Sequence, residues 1–209
     1  MDSAPIIQEA VKVLREGGVI LYPTDTVWGI GCDATNEKAV ARVFEIKRRS
    51  EAKSLVLLAS DLDMVAKYIK VIPSIAIDLV EVNDAPMTII DPGAQYRAAN
   101  AVAADGSVGI RIPLIPSFDG STGESPAKRS DQTAGAFCHE LVYRLRRPLV
   151  STSANISGEP TPASFAEISD EIKGAVDYVV PKPFGAGATG RSSQIIKLGL
   201  GGEVEILRP

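Results

Sequence analysis

Short apolar runs alternate with stretches of helical periodicity along most of this chain, and that alternation restricts the fold more than any other feature. Ile6, Ile7, Ala10, Val11 and Leu14 recur three and four apart and stop at Gly17 and Gly18, which predicts an opening helix closed by glycine. Residues 19–21 read as a buried strand. Asn36 is placed to cap a second helix carrying Val40, Val43, Phe44 and Lys47, and residues 55–58 form the strand after it. Ser60-Asp61-Leu62-Asp63 resembles a capping box led by Ser60, with Asp in place of Glu, opening a third helix to about residue 69. A fourth helix starts at Ser74, after Pro73. Further strands are expected over 87–90, 108–112 and 149–151, with a helix over 136–146 between the last two. Thr161-Pro162 reads as a helix N-cap followed by an N1 proline, and strands near 176–180, 194–198 and 204–207 complete the series. Alternation of this kind predicts an α/β fold, one sheet layered with helices.

With 209 residues and 45% hydrophobic content, one domain spanning 1–209 is the default, a tight two-lobed unit being the alternative. Residues 117–133 collect Ser, Gly, Asp, Lys and Pro and read as a polar surface insertion. No apolar run approaches the ~20 residues that span a bilayer, and the N-terminus lacks a basic segment before an apolar one, so a cytoplasmic protein without membrane contact is expected. Cys32 and Cys138 are far apart and in no metal-ligand spacing, which favours reduced structural thiols. A net charge of -4 argues against nonspecific coating of nucleic acid while leaving room for a local basic site.

Two glycine patterns, Gly29-x-Gly31-x-x-Ala34 and Gly185-x-Gly187-x-x-Gly190, match a dinucleotide fingerprint in letters but not in context. Such a fingerprint needs a strand running into its first glycine and a helix opening at its last. Residues 23–28 separate the first pattern from its strand, and a strand-like segment follows the second. No Walker-type phosphate loop is present. With His139 as the only histidine, and Ser151-Thr152-Ser153 unlike a nucleophile elbow, triad chemistry has little foundation. A reaction run by positioning and electrostatics remains, with hydroxyls, amides and cations around developing negative charge. Lys47, Arg48, Arg49 and Lys53 supply cations near the end of the second helix, where they would also complement its dipole. The Thr-, Asp- and Gly-rich loop 22–31 follows a strand of an α/β sheet, a usual place for ligands.

Four segments resemble, in order, the signatures of the YrdC/YciO-type family: Tyr22-Pro23-Thr24-Asp25-Thr26-Val27-Trp28-Gly29-Ile30-Gly31, Lys47-x-Arg49, Arg111-Ile112-Pro113 and Ser151-Thr152-Ser153-Ala154-Asn155-Ile156-Ser157-Gly158. The resemblance covers nearly the whole chain and implies a twisted, open, mixed β-sheet flanked by helices. It also implies L-threonylcarbamoyladenylate synthase activity, a nucleotidyltransfer in which L-threonine, bicarbonate and ATP give threonylcarbamoyl-AMP and pyrophosphate. ATP is then a substrate, and Mg²⁺ is expected to offset its charge together with the protein's cations. Transfer proteins that modify tRNA would use the product.

Carried onto matching positions, the resemblance assigns Thr26, Leu58, Ser107 and Ser153 to threonine, and Arg49, Lys53, Thr88, Gly109, Arg111 and Asn155 to ATP. Lys47 and Arg49 become the catalytic cations, and no protein metal ligand is assigned. A structural hydrogen-bonding role is the alternative for Arg111 and Asn155. Leu58 stands where many members place a polar residue and Lys53 where many have Asn; Ser54, Ala85 and Gln194 replace a proline, a glycine and a threonine, and the insertion is longer than usual. The competing function is that of a non-enzymatic paralogue binding tRNA or double-stranded RNA, though such a protein has no need of the Ser-Thr-Ser-Ala-Asn loop. A carbamoyl-transfer module like that of hydrogenase-maturation proteins is the third reading.

Overall fold

A computed structural model describes residues 2–49, 55–115 and 133–209. Among these residues nine strands form one mixed sheet in the order β7-β1-β2-β6-β3-β5-β4-β8-β9. They are β1 (Ile20–Tyr22), β2 (Gly29–Gly31), β3 (Val56–Leu58), β4 (Met87–Asp91), β5 (Val108–Arg111), β6 (Leu149–Ser153), β7 (Tyr178–Val179), β8 (Gln194–Leu198) and β9 (Val204–Arg208). The β1–β7, β3–β5 and β4–β8 pairs are parallel and the other neighbours antiparallel. Helices α1 (Ala4–Arg15), α2 (Glu37–Ile46), α3 (Leu62–Tyr68), α4 (Ser74–Val82), α5 (Ala134–Leu145) and α6 (Asp170–Ala175) flank it. The α/β class and the open mixed sheet expected from sequence are both present.

Apolar spacing explains how the helices pack. Ile7, Ala10, Val11 and Leu14 bury one face of α1, which lies against α5 and its buried Phe137, Leu141 and Leu145. Asn36 caps α2, its side chain accepting from Ala39 N at 3.1 Å. The end of α2 is a Schellman motif: Arg48 turns left-handed at φ 50°, Arg48 N donates to Glu45 O and Arg49 N to Phe44 O. That turn places Lys47 and Arg49 at the sheet and leaves Arg48 in solvent, paired with Glu171 at 2.6 Å.

Three local expectations are corrected. Asp61, not Ser60, caps α3, accepting from Met64 N at 2.7 Å while Ser60 donates to the Asp61 carboxylate. Gly29–Gly31 is a strand rather than loop, since it pairs with β1 on one side and β6 on the other. No α-helix starts at Thr161-Pro162; a 3-10 turn at Phe165–Glu167 precedes α6, whose cap is Ser169. Glu167 takes the donors that a helix would have needed, binding Ala163 N and the Ser164 hydroxyl.

Strand alternation divides the sheet. Ile89 and Ile110 face α3 and α4, while Thr88, Ile90 and Gly109 open onto a cavity on the other side. Register sets Gly29 beside Ser153, Ser151 beside Val56, Val56 beside Gly109, Gly109 beside Ile90, and Thr88 beside Ile195. One row of glycines, hydroxylated residues and branched aliphatics thus crosses six strands.

Candidate active site

That row floors a cavity of about 310 Å³, at the lower end of the size usual for small-molecule sites. Thr24, Thr26 and Val27 from the β1–β2 loop form one wall, and Ser192, Ser193 and Arg208 the opposite one. Arg49 and Arg111 complete a set of three guanidinium groups with Arg208, and no Asp or Glu is among the described lining residues. Gly109 keeps the floor low, since a Cβ there would lie 3.1 Å from Thr88 Cγ2.

The β1–β2 loop is held by a buried ion pair. Arg111 and Asp25 are 5% and 6% exposed; Arg111 Nη1 donates to Asp25 Oδ1, and Leu114 N donates to Asp25 Oδ2 at 3.0 Å. A pair so placed is held by geometry, since removing one partner strands a charge in the core. Gly135, in the first turn of α5, lets that helix close over the loop: a Cβ would sit 2.1 Å from Leu114 O and 3.2 Å from Asp25 Cβ. Thr189 N and Gly190 N donate to Asp25 O and Thr26 O at 2.9 and 2.8 Å, so a Gly-rich segment straps the loop from outside.

At the opposite wall, Thr88 Oγ1 and Ser193 Oγ lie 2.8 Å apart, and Arg208 Nε donates to Ser193 O at 2.7 Å. Burial holds the pKa of Arg49 and of Arg208 below the ordinary guanidinium value. Both remain cations, partly stripped of water, which favours an anionic partner. Burial, with Asp33 beside Cys32 and Asp25 beside Cys138, raises both thiols far above the range of a nucleophile. His139 lies in α5 and is not among the cavity-lining residues.

The structure gathers Thr26, Arg49, Thr88, Gly109, Arg111 and Ser153 around this cavity. Lys47 and Asn155 line an adjoining groove that shares Arg49, Thr152 and Ser153 with it. There Lys47 is buried, its Nζ donating to Ser153 O at 2.5 Å and to Asn155 O at 2.7 Å, so it shapes the turn after β6. Asn155 Nδ2 braces the same turn through Glu159 O at 2.7 Å, in line with the structural alternative for this residue. Leu58 is fully buried in the main core, and Ser107 is tied to Asp105 at 2.6 Å; neither is a lining residue. Lys53 and all but the last residue of the 117–133 insertion lie outside the described residues. Thr24, Asp25, Ser193 and Arg208 belong to the site without having been assigned a role from sequence, although Thr24 and Asp25 stand inside the quoted signature.

Comparison with known proteins gives the family. The family model Sua5_yciO_yrdC, described as Telomere recombination, matches residues 12–119 and 133–209. A threonylcarbamoyl-AMP synthase of Pseudoalteromonas translucida is 31% identical, covering 88% of this chain and 90% of its own. The enzyme of the same name from Xanthomonas euvesicatoria is 32% identical, covering 91% and 96%. The structure of P. abyssi Sua5 complexed with L-threonine superposes with a TM-score of 0.72 at 26% identity over 92% of this chain; the chain spans 50% of that protein. E. coli YciO shares the fold, with a TM-score of 0.70 at 24% identity over 98% of this chain and 88% of its own. The chain belongs to the Sua5/YciO/YrdC family.

Proposed function

We propose that this chain is a threonylcarbamoyl-AMP synthase, joining L-threonine, bicarbonate and ATP into threonylcarbamoyl-AMP with release of pyrophosphate and water. The observation that carries this reading is one cavity in which a hydroxyl-rich loop faces three arginines and no carboxylate among the described lining residues. A zwitterionic amino acid fits the first wall and a polyanion the second. Curated relatives of nearly equal length bear the same activity in their names.

The chemistry requires no protein nucleophile. The threonine amine condenses with bicarbonate to give a carbamate and water, a carbamate oxygen attacks the α-phosphorus of ATP, and pyrophosphate leaves. Thr26 and Ser153 would orient threonine, with Arg111 between carbamate and phosphate. Thr88, Gly109, Ser193 and Arg208 would bed the nucleotide, and Arg49 would meet the departing phosphates. Catalysis then comes from alignment and charge offset in a partly dehydrated site. Mg²⁺ fits as a companion of the nucleotide: with no carboxylate among the described lining residues, phosphate and water oxygens would be its ligands, and it would neutralise triphosphate charge. Among the described residues no helix is long and apolar enough to cross a membrane. A carbamoyl adenylate is a reactive mixed anhydride, so proteins that transfer the group to tRNA are its natural consumers.

The purified chain with ATP, Mg²⁺, bicarbonate and threonine is expected to release pyrophosphate and form threonylcarbamoyl-AMP. Failure to release pyrophosphate, with tight tRNA binding, would instead favour an RNA-binding paralogue.

A further inference from the structure

Thr24 is 1% exposed, yet its hydroxyl stands among three polar atoms. It donates to Val27 O at 2.7 Å and accepts from Thr26 N at 3.1 Å. Its oxygen also lies 2.8 Å from Thr26 Oγ1. A hydroxyl has one proton, and Val27 O, a carbonyl, can only accept. The Thr24 proton is therefore spent, and in the 2.8 Å contact Thr26 must be the donor. Arg111 Nη2, which can only donate, approaches Thr26 Oγ1 from the other side at 3.4 Å and is itself fixed by Asp25. Thr26 thus faces the cavity with its proton committed inward and a lone pair outward.

We propose that Thr24 and Asp25 are positioning residues that lock the Thr26 hydroxyl as a hydrogen-bond acceptor, matched to an N–H or O–H donor of the amino-acid substrate. The inference rests on the reading that Thr26 meets threonine. An acceptor-only hydroxyl discriminates by polarity as well as by shape, because a substrate lacking the donor leaves a lone pair buried without a partner. Asp25 acts through Arg111: with the guanidinium held, Nη2 stays on Thr26 Oγ1 and keeps that hydroxyl's proton turned to Thr24.

The test is direct binding of L-threonine by calorimetry, with steady-state kinetics alongside. Thr24→Val keeps the shape and removes the hydroxyl; it is expected to weaken threonine binding about tenfold, the size of one lost hydrogen bond, while the ATP KM stays within twofold. Thr24→Ser restores the hydroxyl and should bring threonine affinity to within about threefold of the parent. Asp25→Asn, which loosens Arg111, should also weaken threonine binding. If Thr24→Val disturbs folding, Thr24→Ala, which removes the hydroxyl with less bulk, carries the comparison against Thr24→Ser. Repeating the titration with L-valine, which keeps the amine and lacks the side-chain hydroxyl, separates the two donors. A Thr24→Val penalty that persists with valine assigns the amine, and one that vanishes assigns the hydroxyl. Equal threonine affinity in Thr24→Val and the parent, or equal weakening toward threonine and ATP, overturns the proposal. A parent protein that does not bind threonine at all overturns the functional reading as well.

Discussion

Burial, then the neighbouring Arg49, lowers the pKa of Lys47 to about 8 from an ordinary 10.5, although its ammonium still bridges two backbone carbonyls. A lysine with a depressed native pKa binds fewer protons folded than unfolded between those two values, so that part of the stability increases with pH. The unfolding free energy of the parent relative to Lys47→Met should therefore rise from pH 8 to 10. Chemical denaturation across that range measures it, and a flat difference would place the Lys47 pKa near its ordinary value. Arg49→Ala, by contrast, should lose at least about 100-fold in turnover while its melting temperature stays within a few degrees, because it removes a cation that lines the cavity rather than core packing. Residue types alone exposed the Thr-rich loop holding Thr26, and Arg49, as groups able to serve this chemistry, while Arg111 came from the resemblance. Leu58 was placed at the substrate by its position in the resemblance, but the strand that carries it buries it in the main core. Arg208 went unassigned for the opposite reason, since a cation near the chain end carries no local signal; only the β4–β8–β9 pairing brings it to Ser193.

Among the elements, those whose signals are local were legible in advance. Asn36 caps α2 where the sequence places the cap, since a side-chain acceptor three residues before a free amide is a short-range device. Thr161-Pro162 carries an equally good start signal, but Glu167 captures the nearby donors and Ser169 opens the helix instead. Strand β2 was hidden because three residues with two glycines show no periodicity; its outer ladder runs to β6, more than a hundred residues away. Arg48, left-handed at the close of α2, gives a prediction at this scale: Arg48→Gly should stabilise the protein by roughly 0.5–1 kcal/mol, less any contribution of the exposed pair with Glu171. Gly135→Ala should destabilise by about 2 kcal/mol, because its methyl meets the backbone carbonyl of Leu114, which has little freedom to yield. Thermal or denaturant unfolding of both variants checks these signs together.

Across the whole molecule, the cavity floor draws on β2, β6, β3, β5, β4 and β8, strands that are scattered in sequence and adjacent only in the sheet. The sequence pattern supplied the α/β class, but strand order comes from long-range pairing that no local window contains. A site spread across the sheet means that its ligands bind the folded state and not the unfolded chain. Saturating threonine and nucleotide together should therefore raise the unfolding free energy, by about 2.7 kcal/mol when a ligand stands at 100 times its dissociation constant.

If this cavity builds a carbamate on threonine and joins it to AMP, bicarbonate carbon must end in the product. The direct measurement supplies ¹³C-bicarbonate with ATP, Mg²⁺ and threonine, and identifies the adenylate by mass and carbon NMR. The expected product is an adenylate whose carbamoyl carbon carries the label and whose formation requires threonine. An unlabelled threonyl adenylate, or ATP that remains intact when all substrates are present, rules the mechanism out.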